Sequence, residues 1–150
     1  MTTVRLLPVT TEQECLRCFD VMHELRPHLA APQTFVSQVM RQMTMGYRLL
    51  AAWQEDRVVG LAGYRPTENL LYGRFVYVDD LVVSGDGRSL GLGARLLTAV
   101  REEARSMACH HLVLDTGLGM ALAQRFYFRQ GLLSRGMHFV ETLSVEETAS

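Results

Sequence analysis

The sequence has few cysteines, almost no net charge and no long apolar run, and each shortage excludes a class of protein. Its 3 cysteines are too few, and odd in number, for a disulfide framework. A net charge of −1 gives no basic excess for binding nucleic acid or an anionic membrane. No apolar stretch approaches the roughly 20 residues that span a bilayer, and the N-terminus lacks the pattern of a signal peptide. We therefore expect a cytoplasmic protein without a nucleic-acid or membrane partner.

Cys15 and Cys18 form a C-x-x-C pair, which could indicate metal binding, redox chemistry or packing. A zinc site needs a second pair of ligands at suitable spacing, and the sequence has none. A thioredoxin-like pair would follow a strand and open a helix, whereas here an apolar helical stripe continues through Phe19, Met22 and Leu25. We predict that both thiols are core residues and that the chain has no metal site.

The sequence does contain enough apolar residues, 48% of 150, for a sizeable core. Predicted strands cover Val4–Leu7, Tyr47–Trp53, Val58–Arg65, Phe75–Val83, Leu112–Leu114 and Leu132–Leu143. Predicted helices run from Thr11 to about Glu24, from Pro32 to Gly46, from about Gly91 to Met107 and from Leu122 to Gly131. The order β-α-α-β-β-β-α-β-α-β predicts one mixed α/β domain, because a doubly wound fold would alternate strand and helix throughout.

A glycine-containing segment, Arg88-Ser89-Leu90-Gly91-Leu92-Gly93-Ala94, lies where the fourth predicted strand leads into a helix. Glycine allows the backbone to approach a ligand closely, and the first N–H groups of a helix lack internal partners. Those groups carry the positive end of the helix dipole, and Arg88 adds a formal charge. The segment therefore suits a pyrophosphate.

Two common phosphate-binding motifs do not match this segment. A Walker loop would end in Gly-Lys-Ser/Thr, and a dinucleotide fingerprint would have Gly or Ala where Leu96 stands. The remaining pattern, R/Q-x-x-G-x-G/A after a long strand, resembles motif A of the GCN5-related N-acetyltransferase (GNAT) superfamily. The resemblance implies a mostly antiparallel central sheet flanked by helices. It also implies acetyl-coenzyme A (acetyl-CoA) as co-substrate, with the pyrophosphate on residues 88–94 and the pantetheine arm along Leu81, Val82 and Val83.

A second segment, Ala123-Gln124-Arg125-Phe126-Tyr127-Phe128-Arg129-Gln130-Gly131-Leu132, resembles motif B of the same family. Together with the order of elements, the resemblance covers nearly the whole chain, and it points to a small bacterial branch. It implies that Tyr127 serves the departing thiolate, although a core aromatic is the alternative interpretation. One position departs from the family pattern, because Met120 stands where the family often has an asparagine that contacts the cofactor arm.

An acidic pair, Asp79-Asp80, interrupts the fourth predicted strand. A carboxylate in a central strand is costly unless it is paired or used in function. The resemblance implies that Asp79 binds the amine, with Asp80 as the second candidate. In a regular strand Asp80 shares a face with Val78 and Val82, and a bulge, which the family commonly has here, would exchange the faces. The resemblance makes Arg26, His28, Tyr72 and Arg74 candidates for lining the acceptor pocket, and a solvated surface residue is the alternative interpretation of each.

These observations predict an N-acetyltransferase that moves an acetyl group from acetyl-CoA to a primary amine of a small molecule or peptide. The amine must be neutral to attack, and the reaction proceeds in a ternary complex without an acyl-enzyme. Two alternatives remain open at this point: a non-catalytic acyl-CoA-binding regulatory module on the same fold, and a nucleotide-binding protein that uses the same loop. The family resemblance also makes a homodimer an option.

Overall fold

The structure is a computed structural model that describes residues 3–85 and 90–145. The chain divides into two compact units, Met1–Leu114 and Asp115–Ser150. In the described ranges, no helix combines the length and apolar character that crossing a bilayer requires.

The described residues of the first unit form five strands and four helices. The strands are β1 (Val4–Pro8), β2 (Arg48–Gln54), β3 (Arg57–Asn69), β4 (Gly73–Val83) and β5 (His111–Leu114). The helices are α1 (Glu12–Arg17), α2 (Phe19–Leu25), α3 (Pro32–Met43) and α4 (Leu92–Ser106). The sheet has the order β1-β2-β3-β4-β5, antiparallel from β1 to β4 and parallel between β4 and β5. The predicted mixed, mostly antiparallel sheet is confirmed.

Each face of the sheet carries its own apolar core. The front core joins α1, α2 and α3 to one face, through buried residues such as Met22, Phe35 and Val39. The back core joins α4 to the other face, with Leu96 and Val100 fully buried. Full burial of such side chains stabilises the fold by roughly 1.5 to 3 kcal/mol each, so both layers of helices are firmly held against the sheet.

The helix ends follow local sequence signals, with one difference from prediction. Thr11 and Glu14 form the predicted capping box at the start of α1. Pro32 begins α3, and Gly46, at φ 102°, follows its end. The first predicted helix is divided at Cys18, where the backbone N–H donates to the Cys15 carbonyl and tightens the turn.

The second unit contains helix α5 (Ala121–Arg129), which Gly131 closes at φ +91°. The prediction of a final strand over Leu132–Leu143 is wrong, because the described residues after α5 form no strand. Apolar residues of this segment are largely exposed, with Phe139 at 85% and Leu143 at 72%. An apolar pattern alone does not make a strand, because strands are stabilised by backbone pairing, and the described part of this unit offers no other strand.

Candidate active site

A β-bulge in β4 decides where the acidic pair points. Asp80 pairs with Gly63 and Val78 pairs with Tyr64, so Asp79 is the extra residue between them. Val78 packs into the back core, whereas Val82 packs against the front core. A regular strand would place both valines on one face. The bulge exchanges the faces, as the family resemblance implies, and turns Asp80 toward α2 and α3.

Both oxygens of the Asp80 carboxylate accept hydrogen bonds from the front side. Arg26 donates from Nε to Oδ1 at 3.1 Å, and its Nη2 lies 3.0 Å from the same oxygen. The Tyr47 hydroxyl donates to Oδ2 at 2.8 Å. Arg26 Nη2 also donates to the Asp79 carbonyl at 2.8 Å, which ties the guanidinium to the bulge itself. The Asp80 side chain is 13% exposed, so its position is well fixed.

Tyr47 reaches Asp80 because Gly63 has no side chain. Tyr47 is buried at 3% exposure, and a Cβ on Gly63 would overlap the Tyr47 hydroxyl and lie 2.6 Å from Cζ. Burial raises the pKa of Tyr47 well above its usual value, and the nearby Asp80 charge raises it further. The phenol therefore keeps its proton and acts as a donor to the carboxylate.

Asp79 is held in a separate ion pair. Arg65 donates from Nε to Oδ2 and from Nη2 to Oδ1, both at 2.9 Å, in a bidentate arrangement. The hydrogen bonds from Arg65 to Asp79 raise the pKa of the guanidinium. The guanidinium also lies 5.5 Å from the centre of the Tyr77 ring. Asp79 is therefore a structural partner of Arg65 in this arrangement, and the cavity described next does not include it.

A cavity of about 240 Å³ opens in front of Asp80. Its lining residues are Met22, Arg26, His28, Leu29, Phe35, Gln38, Val39, Gln42, Tyr47 and Asp80. Arg26 and His28, two of the predicted pocket residues, are among them. Tyr72 and Arg74 are not: Tyr72 packs against Phe75 and His111, and Arg74 lines another cavity.

On the side of β4 that faces β5, no described strand pairs with the second half of β4. The parallel pairing with β5 covers Phe75 to Val78 and ends there, while β3 continues to pair with β4 as far as Val83. Among the described residues, no strand pairs with β4 on this side from Asp79 to Val82, and an extended ligand can add to such an edge as a further strand does. The stretch contains Leu81 and Val82, two of the residues predicted for the pantetheine arm, and Val83 follows it.

The predicted anion site lies at the start of α4. Gly91, the residue before the helix, has φ 66°, and no side chain caps the helix. The first N–H groups of α4, on Leu92, Gly93 and Ala94, are therefore available to a ligand. The Leu92 side chain is fully buried, so only its backbone can take part. Leu90 is described and exposed, whereas Arg88 and Ser89 lie outside the described residues.

In the second unit, Tyr127 lies on α5 and is half-buried. Burial raises the pKa of its phenol, so Tyr127 holds its proton at neutral pH. Phe126 packs edge-on beside it, with ring centres 5.4 Å apart. Met120 precedes the helix, is 58% exposed and forms no side-chain cap. A thioether lacks the amide N–H of an asparagine, so this side chain cannot donate the same hydrogen bond.

Cys15 and Cys18 are fully buried in the front core. Burial raises the pKa of the Cys15 thiol to about 11 and that of the Cys18 thiol to about 12. Such thiols are poor nucleophiles and poor metal ligands. The packing interpretation of this pair is confirmed.

The sequence matches the family model described as the Acetyltransferase (GNAT) family over residues 16–132. The chain belongs to the GNAT acetyltransferase family. A protein of Bacillus subtilis (strain 168), named uncharacterized N-acetyltransferase YhdJ, is 26% identical over 125 residues, which cover 83% of this chain and 87% of that protein. GNAT members use acetyl-CoA, so the open edge of β4 and the start of α4 are the features to compare with that ligand.

Two solved structures show the same fold at low sequence identity. Aminoglycoside N-acetyltransferase AAC(6')-Iy, in complex with CoA, has a TM-score of 0.84 at 11% identity, covering 97% of each chain. Glucosamine-6-phosphate N-acetyltransferase from Arabidopsis thaliana has a TM-score of 0.78 at 15% identity, covering 95% of this chain and 99% of that one. Both support the GNAT fold, and neither fixes the acceptor of this chain.

The sequence interpretation missed Tyr47 and the α3 wall of the cavity, which includes Gln38 and Gln42. One signal for Tyr47 was present, because a glycine within a strand often marks a close approach of another group. Gly63 lies in such a strand, yet its partner lies 16 residues earlier in the chain. No local pattern connects the two positions.

Proposed function

We propose that this protein is an N-acetyltransferase that moves the acetyl group of acetyl-CoA to a primary amine by direct attack. The observation that carries the proposal is the open edge of β4 directly beside the front-facing carboxylate of Asp80. One half-strand thus offers backbone groups for an extended acyl carrier and a carboxylate for an amine. The small-molecule or peptide acceptor fits the cavity in front of Asp80.

Each end of the acyl carrier has a suitable partner in this chain. The backbone of Leu81 and Val82 suits an amide-containing arm, because a strand edge without a described neighbour can pair with an extended ligand, and the family resemblance adds Val83. The uncapped start of α4 suits a pyrophosphate, and the sequence adds Arg88 and Ser89 before it. When bound, acetyl-CoA would supply the activated thioester, and the protein's part is to hold it and deliver the amine.

Asp80 is the carboxylate placed to bind the substrate ammonium and take its proton. It lies in the cavity wall and is oriented by Arg26 and Tyr47. Asp79 is less suited, because Arg65 holds both of its oxygens. Tyr127, protonated at neutral pH, is the candidate donor to the departing thiolate, since its pKa is raised by burial.

The test measures thiol release from acetyl-CoA by the full chain across a panel of primary amines. We expect turnover with at least one amine, and a loss on the order of 10²-fold for Tyr127→Phe, the range typical of losing a general acid. Tyr72→Phe is the matched control, because Tyr72 does not line the cavity. It should retain activity.

Thermal shift with coenzyme A, ATP and NAD separates the alternatives. A ligand that binds only the native state raises the melting temperature. Stabilisation by coenzyme A, together with turnover, supports the enzyme. Stabilisation by coenzyme A without turnover on any amine supports a regulatory module instead, and stabilisation by ATP or NAD but not by coenzyme A contradicts the proposed ligand.

A further inference from the structure

The cavity in front of Asp80 carries two opposite charges side by side. Arg26 and Asp80 are an ion pair at 3.0 Å, and both line the cavity. The Arg26 side chain is 42% exposed, so the cation is available to a ligand as well as to Asp80. Its Nε and Nη2 bond to the acidic pair, and its Nη1 makes no hydrogen bond with any described residue. The wall thus offers an acceptor for an ammonium next to an unused donor for an anion.

A ligand with a single positive charge complements only half of this wall. Its ammonium would face Asp80, but it would also face the Arg26 guanidinium, and like charges in a partly desolvated site repel. A zwitterion complements both halves, because its ammonium can face Asp80 while its carboxylate takes the remaining donor of Arg26. Guanidinium and carboxylate are well-matched hydrogen-bonding partners. An α-amino acid has these two groups on one carbon, which suits two protein groups that are themselves in contact.

The remaining lining residues of the cavity indicate which side chain such an acceptor would carry. Its walls are largely apolar, formed by Met22, Leu29, Phe35 and Val39, and two neutral amides lie on α3. Gln38 donates to Gln42 at 3.0 Å, so the amides bond to each other. The volume of about 240 Å³ is small, since pockets for drug-sized ligands are about 300 to 1,000 Å³. The acceptor side chain should therefore be compact and apolar.

Polycationic acceptors fit this cavity poorly. Among its described lining residues Asp80 is the single carboxylate, and Arg26 already neutralises it. A second or third ammonium would meet apolar side chains, the His28 imidazole and neutral amides. None of these is a carboxylate, so no ion pair offsets the cost of desolvating the extra charge. The aminoglycoside named for a structural neighbour is therefore not the acceptor that this wall predicts.

We propose that the acceptor is a free α-amino acid with a compact apolar side chain, its ammonium on Asp80 and its carboxylate on Arg26. The proposal rests on the proposed function and adds the substrate class. The transferred acetyl carbon forms its new bond to the α-nitrogen as its bond to the thioester sulfur breaks. Asp80 takes one proton from the ammonium before the attack and later releases it to solvent. The nitrogen loses a second proton as the amide forms, which balances the proton that the released thiolate takes from Tyr127, the donor proposed above.

Leucine and leucinamide are the decisive pair of substrates. They have the same shape, but the amide lacks the carboxylate. The amine of leucinamide is also the less basic of the two, so a larger fraction is neutral at pH 7.5 and simple reactivity favours the amide. We expect the opposite order, with kcat/KM for leucine higher by about 10- to 100-fold, the range of one charge-assisted hydrogen bond.

Substitution of Arg26 separates recognition from structure. Arg26→Gln should reduce the ratio of kcat/KM for leucine to that for leucinamide to about one. Arg26→Lys should restore part of this ratio, because it keeps the positive charge but lacks the planar, multi-donor guanidinium. If Arg26 only positions Asp80, its substitution would lower kcat/KM for leucine and leucinamide by the same factor. The leucine-to-leucinamide ratio would then stay unchanged. Arg65→Gln is the matched control: it removes the arginine on Asp79, which does not line the cavity. It should leave the ratio as in the wild type.

The outcomes separate the two proposals. A wild-type preference for leucine over leucinamide that is lost in Arg26→Gln supports the amino-acid acceptor. Turnover of leucinamide, a diamine or an aminoglycoside in preference to leucine overturns the acceptor class and leaves the acetyltransferase intact. Coenzyme A binding without turnover on any of these amines overturns both.

Discussion

The two halves of β4 differ in pairing, burial and role. From Phe75 to Val78 the strand pairs with β3 and β5, and Val76 is fully buried. After the bulge residue Asp79, the stretch from Asp80 to Val83 pairs with β3, no described strand pairs with it on the other side, and it is only half-buried. The bulge at Asp79 marks the change. One strand can thus contribute to the core at one end and present backbone groups and a carboxylate to ligands at the other. This requires that its pairing with β5 ends between the two halves.

The largest expected effect comes from the carboxylate on the open half. Asp80→Asn should lower kcat/KM on the order of 10²- to 10⁴-fold, the contribution typical of a positioned proton acceptor. Asp79→Asn should lower it less than about 10-fold, because it removes half of an ion pair outside the cavity. Steady-state kinetics with the best amine measures both, and coenzyme A binding should stay unchanged.

A reversal of this order would show that the bulge does not select the catalytic carboxylate. Equal losses in both variants would indicate that the pair acts as one unit. Circular dichroism of each variant is the control for folding.

The next effect concerns the close approach that orients Asp80. Gly63→Ala places a methyl group against the Tyr47 ring, and such overpacking should lower the free energy of unfolding by about 2 to 3 kcal/mol. Tyr47→Leu in the same chain should recover part of that loss, because it removes the clashing ring. Urea denaturation measures each value. Gly119→Ala, where a Cβ meets nothing within 4 Å, is the control and should change little; an equal loss there would contradict the argument.

A matched pair of valines tests the core role of each half. Val76 is 0% exposed in the doubly paired half, and Val76→Ala should reduce the free energy of unfolding by about 1.5 to 2 kcal/mol. Val82 lies in the open half and is partly buried, so Val82→Ala should cost less than about 1 kcal/mol. Coenzyme A affinity should stay unchanged for Val82→Ala, because only its backbone is proposed to bind. Equal losses of stability would show that both halves are core.

The smallest effect concerns the thiols on the two faces of the sheet. Cys15 and Cys18 lie in the front core with pKa values of about 11 and 12, while Cys109 is partly buried against the back core. At pH 8 a thiol reagent should label Cys109 first and leave the other two unlabelled until the protein unfolds. Burial raises the pKa of the Cys15 thiol from 9 to about 11, so its thiolate forms only when the pH approaches 11. Mass spectrometry of the labelled chain checks the order, and rapid labelling of Cys15 at pH 8 would contradict it.

Local signals predicted local features well. The capping box of Thr11 and Glu14, the proline at the start of α3 and the glycine after α5 all fix backbone within a few residues, and all are present. The family resemblance implied the bulge, and the anion site that it implied at the start of α4 stays a prediction. The order and type of the elements through α5 followed from these signals and from apolar periodicity, except that the first predicted helix is divided into α1 and α2.

The features that were not predicted depend on contacts distant in the chain. Whether Asp79 or Asp80 faces the cavity depends on the register between β3 and β4, which sequence periodicity does not contain. Tyr47 lies 33 residues before the carboxylate to which it donates. The final strand was predicted from an apolar pattern alone, but a strand also needs a neighbour with which to pair. Arg88 and Ser89 lie outside the described residues, and the role of Tyr127 stays a prediction.

The contact of Tyr47 with Gly63 has a consequence for evolution. Tyr47, just before β2, and Gly63, within β3, share one small volume, so the size of one limits the size of the other. A lineage that gains a side chain at position 63 must lose the ring at position 47, and with it a donor to Asp80. Related sequences should therefore vary at these positions as a pair, and the pairs that abandon tyrosine should also differ in the acceptors they use.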